Sequence, residues 1–85
     1  MYNVIIVEDE VRVSKLIIKL IDWDGLGLSL AGVSYDGITA YEMIEKVRPE
    51  IVITDIRLPG MSGVDLIEHI SKEEDPKPKF IIISG

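Results

Sequence analysis

Residues 51–60, IVITDIRLPG, narrow the fold more than any other stretch of the chain. Ile51, Val52, Ile53 and Thr54 are apolar or β-branched and read as a strand, which ends abruptly at Asp55. A carboxylate directly after a buried strand is costly unless it stands at an exposed strand end. Open α/β sheets place their chemistry at the carboxyl ends of their strands. Pro59-Gly60 then turns the chain and prevents the strand from continuing. Taken alone, Asp55 is an ordinary polar residue closing a strand. It gains weight because Glu8-Asp9-Glu10 stands in the same way at the end of a second apolar run, residues 4–7.

That first run is β-branched throughout and reads as a strand covered on both faces. From about residue 11 to 22 the period changes. Val13, Leu16, Ile17, Leu20 and Ile21 recur at the spacing of one helix face, and the three acids lie at or before its positive N-terminal end. DWDGLG is a turn-rich connection whose Trp23 is expected to pack over the helix end. Residues 30–34 form a weaker strand, and Gly32 with its flanking serines marks a sheet edge. Asp36 caps a second helix with Ala40, Tyr41, Ile44 and Val47 in register, which Pro49 ends. Ser62 caps a third, roughly residues 63–73, with Leu66, Ile67 and Ile70 as its buried stripe. His69 is expected to face solvent; no second His or Cys stands at ligand spacing beside it. EEDPKPK is a charged, proline-broken loop, and residues 80–83 are a last apolar strand ending in Ser84-Gly85. The order β-α-β-α-β-α-β predicts an α/β fold: a parallel sheet with right-handed crossovers and helices on both faces.

Eighty-five residues allow one small domain. With no cysteine, neither a disulfide framework nor a thiolate metal site can form. Fifteen acids against nine Lys and Arg give a net charge of −6, which argues against a nucleic-acid surface in this chain. No apolar run reaches the roughly 20 residues of a spanning helix, and MYNVIIVEDE lacks a secretory signature. No membrane association and a cytoplasmic location are the expectations.

In parallel strands joined by crossovers all carboxyl ends share one side of the sheet. If the first and third strands are neighbours, Glu8, Asp9 and Asp55 converge. Three carboxylates that close do not all stay ionised cheaply without a cation. Hard oxygen ligands suit Mg²⁺. Separate, solvated strand-end acids are the alternative; the metal reading is preferred because two strand ends carry acids in the same register. A carboxylate beside Mg²⁺ serves as a ligand or attacks phosphorus to form an aspartyl phosphate. Ser84 would offer a hydroxyl to a phosphoryl oxygen, or be a plain polar strand terminus.

Taken together, VIIVEDE, TDIRLPGMSG and IIISG resemble the receiver domain of two-component response regulators, over the whole sequence. The paired acids, the Asp-x-x-x-Pro-Gly and the small hydroxyl residue after strand four are specific in combination and not singly. The resemblance implies a flavodoxin-like sheet, of strand order 2-1-3-4-5 in this family. It implies that Asp55 is the phosphoacceptor, charged by a sensor histidine kinase, and that Asp9 is a direct Mg²⁺ ligand. Glu8, where the family more commonly has aspartate, is implied to act mostly through water. By the same resemblance Arg57 would give the metal a backbone carbonyl, Ser84 would be the switch hydroxyl, and Pro59-Gly60 would shape the loop. More weakly, WDGLGLSLAG resembles receivers joined to AraC-type DNA-binding outputs, which would be separate from this chain.

A receiver continues after strand four with a helix, a fifth strand and a fifth helix, whereas this sequence stops at Gly85. The expectation is one C-terminally truncated receiver over residues 1–85, lacking helix 4, strand 5 and helix 5. The family's strand-five lysine has no counterpart here: Lys72, Lys77 and Lys79 precede strand four, toward the other end of the sheet. Impaired phosphorylation follows as an expectation, as does self-association through an exposed strand four. Three other functions compete with the signalling module, which is not itself an enzyme. A Mg²⁺-dependent aspartyl-phosphate phosphohydrolase of the haloacid dehalogenase type would want a second Asp where Arg57 stands. A mononucleotide-binding domain would want a glycine-rich phosphate loop where EDEVRVS stands. A non-signalling structural or assembly fragment is the third.

Overall fold

The computed structural model of the chain describes residues 1–73 and 77–83. Four strands form one parallel sheet: β1 (Tyr2–Val7), β2 (Leu28–Ser34), β3 (Ile51–Asp55) and β4 (Lys79–Ile83), in the order β2-β1-β3-β4. The helices between them are α1 (Val11–Leu20), a single turn α2 (Trp23–Leu26), α3 (Gly37–Val47) and α4 (Gly63–Glu73). The parallel sheet is the one the alternating pattern predicts, and its flavodoxin-like order, with β1 and β3 at the centre, is the one the receiver resemblance implies.

The central strands are continuous apolar runs because both of their faces are covered. Ile5, Val7 and Val52 point to one side, against Ala40 and Ile44 of α3 and Leu66 and Ile70 of α4. Val4, Ile6 and Ile53 point to the other, where Ile17, Ile18, Ile21 and Trp23 close over them. Buried polar groups inside this frame are hydrogen-bonded, as burial requires. The Thr54 hydroxyl donates to the Asp55 carbonyl at 2.9 Å, and that of Ser14 to the Val11 carbonyl at 2.8 Å.

The caps fall where the sequence places them. Asp36 Oδ1 accepts from Thr39 N–H at 2.7 Å, and Ser62 Oγ accepts from Asp65 N–H at 3.1 Å. α3 ends before Pro49, with Arg48 in the left-handed region at φ 51°. Trp23 packs over the end of α1, its indole N–H on the Ile18 carbonyl at 2.8 Å. β2 is an edge strand, and its register against β1 slips between Val4 and Ile5, skipping Ala31. Gly32 stands at that irregularity, where the Met43 sulfur would lie 2.6 Å from any Cβ.

One expectation is corrected. The stripe that α1 turns to the sheet is Ser14, Ile17, Ile18 and Ile21, while Leu16 and Leu20 face outward, 53% and 74% exposed. Both stripes have helical spacing, and Ser14 can stand in the buried one because the Val11 carbonyl of its own helix satisfies its hydroxyl. β4 is the apolar strand expected, with Ile81 and Ile82 half-exposed, and among the described residues it has a strand neighbour on one side only. No described helix is long and apolar enough to cross a membrane.

Candidate functional site

The site is built by register. β1 and β3 pair with Val7 opposite Thr54, so the residues that follow, Glu8 and Asp55, leave the sheet side by side. Oxygens of Glu8, Asp9 and Asp55 all lie within 4.8 Å of one another. They open into a cavity of about 780 Å³ at the carboxyl ends of the strands, with Glu10, Val13, Ile17, Ile56, Arg57 and Ile83 around it.

The three acids are not equivalent. Glu8 is buried, Asp9 exposed and Asp55 between the two. Burial pushes the Glu8 carboxyl above its ordinary value of 4.5. A hydrogen bond with Asp9 and the negative charges of Asp55 and Asp9 act in the same direction, while the Glu10 N–H, donating to Glu8 Oε2 at 2.9 Å, opposes them. Glu8's backbone is anchored on the other side by its N–H on the Ser34 carbonyl at 2.9 Å. Asp55 is held by the Arg57 N–H, which donates to Oδ1 at 3.3 Å. A half-buried set of carboxylate oxygens, one of them disfavoured as an anion, is what a hard divalent cation neutralises. The donor set therefore fits Mg²⁺.

Of the residues singled out in the sequence, Glu8, Asp9, Asp55 and Arg57 come together at this cavity. Ser84 lies outside the described residues. Lys77 and Lys79 are at the opposite end of the sheet, in a separate groove of about 470 Å³ with Tyr2, Arg48, Pro49, Glu50 and Ile51. His69 is exposed, with its ring edge-on to Tyr41 at 6.0 Å between centroids, and takes no part in the acidic cluster.

The loop between Asp55 and α4 is shaped by its glycines, Gly60 and Gly63. Gly63 N–H donates to the Ile56 carbonyl at 2.8 Å, closing the loop on itself. A Cβ at Gly63 would lie 3.0 Å from the Ile56 Cα and well inside contact distance of the Asp55 carbonyl oxygen. Gly60 turns the loop tip at φ 82°. One signal was available: Gly37 and Gly63 each follow a capping residue directly, in the first helical position, where glycine has no special preference.

A four-stranded parallel sheet of this order, with acids from the ends of its first and third strands sharing one cavity, has the form of a signal receiver. The chain belongs to the response regulator receiver domain family, which it matches over residues 4–85. It is 40% identical over its full length to the uncharacterized transcriptional regulatory protein YesN of Bacillus subtilis. It is 35% identical over 71 residues, 84% of the chain, to the transcriptional regulatory protein HptR of Staphylococcus aureus. The chain spans 23% of the length of the first and 28% of the second. In structure it is similar to the REC domain of AraT, a response regulator from Geobacillus stearothermophilus. The TM-score there is 0.91 at 27% identity, covering 99% of this chain and 64% of the other. It is also similar to a two-component transcriptional regulator AraC from Clostridium phytofermentans, with a TM-score of 0.83 at 32% identity, covering 100% and 68%.

Proposed function

We infer that the chain is the phosphoacceptor module of a response regulator, with Asp55 as the acceptor, and that a sensor histidine kinase supplies the phosphoryl group. The observation that carries this reading is the convergence of Glu8, Asp9 and Asp55 oxygens within 4.8 Å at the sheet's carboxyl end, with Glu8 buried. Asp9 would hold Mg²⁺ directly, with Asp55 and the Arg57 carbonyl, and Glu8 would act mostly through water. Bound Mg²⁺ supplies positive charge for the phosphoryl oxygens.

The chain's own groups do the rest. The Arg57 N–H fixes Asp55 Oδ1, which leaves the second carboxylate oxygen to attack phosphorus. An O–P bond forms as the P–N bond to the kinase histidine breaks, and the imidazole leaves with the electron pair of that bond. Val13, Ile17 and Ile83 form an apolar wall to the same cavity, which limits water around the acyl phosphate. Ser84 is the switch hydroxyl in this reading. The module is a cytoplasmic signalling switch and not an enzyme, and a DNA-binding output belongs to the part of such regulators outside these 85 residues.

Titrating Mg²⁺ against the melting temperature tests the site, since a ligand that binds only the folded state raises its stability. Saturable stabilisation that is lost or weakened in Asp55→Asn is expected. No response up to several millimolar, the weak end of cation affinities, would contradict it.

The 85-residue chain is also expected to self-associate through β4, whose Ile81 and Ile82 are half-exposed beside a free strand edge among the described residues. Light scattering should give a mass above that of the monomer, reduced in Ile82→Lys. A monomer at high concentration would refute this.

A further inference from the structure

The loop over residues 56–62 carries Arg57 and is braced from outside its own chain segment. Gly37, the first residue of α3, donates its N–H to the Pro59 carbonyl at 3.1 Å. Gly37 is buried, and a Cβ there would lie 2.6 Å from the Met61 Cβ and closer still to the Met61 carbonyl oxygen. A backbone oxygen has no rotamer by which to move aside. Nor does conformation explain the glycine: Gly37 is not among the positive-φ residues, and alanine would be the better helix former. What the position requires is space for the loop. A second contact lies one residue on, where a Cβ at Gly60 would be 3.2 Å from Ile38 Cδ1.

The brace also reaches the other half of the site. Glu8 N–H bonds the Ser34 carbonyl at 2.9 Å, and the Ser34 hydroxyl bonds the Asp36 carbonyl at 3.0 Å. Gly37 bonds Pro59, and Arg57 N–H bonds Asp55 Oδ1. Glu8 and Asp55 are thus joined twice, once through the β1–β3 pairing and once through the start of α3.

We propose that Gly37 is a positioning residue for the acidic site: the close approach of its backbone to Pro59 and Met61 sets where the loop, and with it the Arg57 backbone, stands relative to Asp55. The metal-binding part of this inference rests on the site reading given above. Outer groups that hold metal ligands in place commonly account for 10–100-fold in affinity.

The test compares Gly37→Ala with Asp36→Ala in the 85-residue chain. The control removes the α3 cap and leaves the close approach intact. Three quantities are read: the metal-free melting temperature, the Mg²⁺ dissociation constant by calorimetry, and the metal-free amide resonances of Ile56 to Met61. Gly37→Ala should shift those resonances while leaving those of β1 and β3 in place, and should weaken Mg²⁺ binding about tenfold or more. Asp36→Ala should lower the melting temperature with loop resonances and Mg²⁺ affinity retained. Unchanged loop resonances in a folded Gly37→Ala would overturn the proposal, as would equal loss of Mg²⁺ affinity in both variants. Should Gly37→Ala not fold, Ile38→Ala replaces it, since Ile38 is 55% exposed; shifted loop resonances support the brace and unshifted ones refute it. If the unmodified chain binds no Mg²⁺, the site reading fails, while the metal-free resonances still decide the role of Gly37.

Discussion

The two ends of the sheet are both concave and both charged, yet they are built differently. At the carboxyl end, Glu8 is buried and hydrogen-bonded through both its side chain and its backbone. Backbones approach there closely enough that Gly37 and Gly63 admit no side chain. At the amino end, Arg48, Glu50, Lys77 and Lys79 stand exposed around Pro49 and Ile51. There Arg48 occupies the left-handed region, where glycine would be the natural choice. Charge alone does not mark a working site. Glu8 is a carboxyl that folding buries on backbone that packing fixes, and a bound cation would offset the cost of ionising it there.

The largest effect expected from this contrast is on stability. Gly63→Ala drives a methyl group toward the Asp55 carbonyl and should cost about 1–3 kcal/mol, as overpacking does, with Mg²⁺ binding weakened as well. At the other end, Arg48→Gly should leave stability within about 1 kcal/mol of the parent. Urea unfolding of the two variants checks the pair, and comparable losses at both ends would break the comparison.

A smaller effect is pH-dependent. With its folded pKa raised, Glu8 holds its proton more tightly in the folded state than in the unfolded one. Metal-free stability should therefore fall as pH rises from about 4.5 through the raised value. Glu8→Gln should flatten that slope and stabilise the metal-free chain at neutral pH. Asp36 works in the opposite sense: the Thr39 N–H holds its carboxyl below 3.8, so its contribution is lost only as pH falls through that lower range. Melting temperatures between pH 3 and 8 on the order of half a unit apart separate the two windows. The smallest effect belongs to the amino end, where Lys77→Ala and Lys79→Ala should leave both the pH slope and Mg²⁺ binding unchanged.

Much of the carboxyl end was legible in the sequence because it is written in local signals. A β-branched run that stops at an acid marks a strand and its open end, and this happens at Glu8 and at Asp55. Asp36 and Ser62 announce helix starts by residue type and position. Periodicity was less decisive in α1, where two stripes of helical spacing overlap and the buried one includes Ser14. The apolar run of β4 does not by itself show that Ile81 and Ile82 stand half-exposed, since burial depends on neighbours that its own residues do not specify. Gly37 and Gly63 gave the weakest signal of all. Their demand is for space next to a backbone distant in sequence or folded back on itself, and neither carries a positive φ that turn chemistry would reveal.

Intact-protein mass spectrometry after incubation with a small acyl phosphate and Mg²⁺ tests directly whether Asp55 is the acceptor. A mass gain of one phosphoryl group is expected, removed by hydroxylamine, dependent on Mg²⁺ and absent from Asp55→Asn. A phosphoryl group retained in Asp55→Asn, or none on the unmodified chain at saturating Mg²⁺, would contradict it.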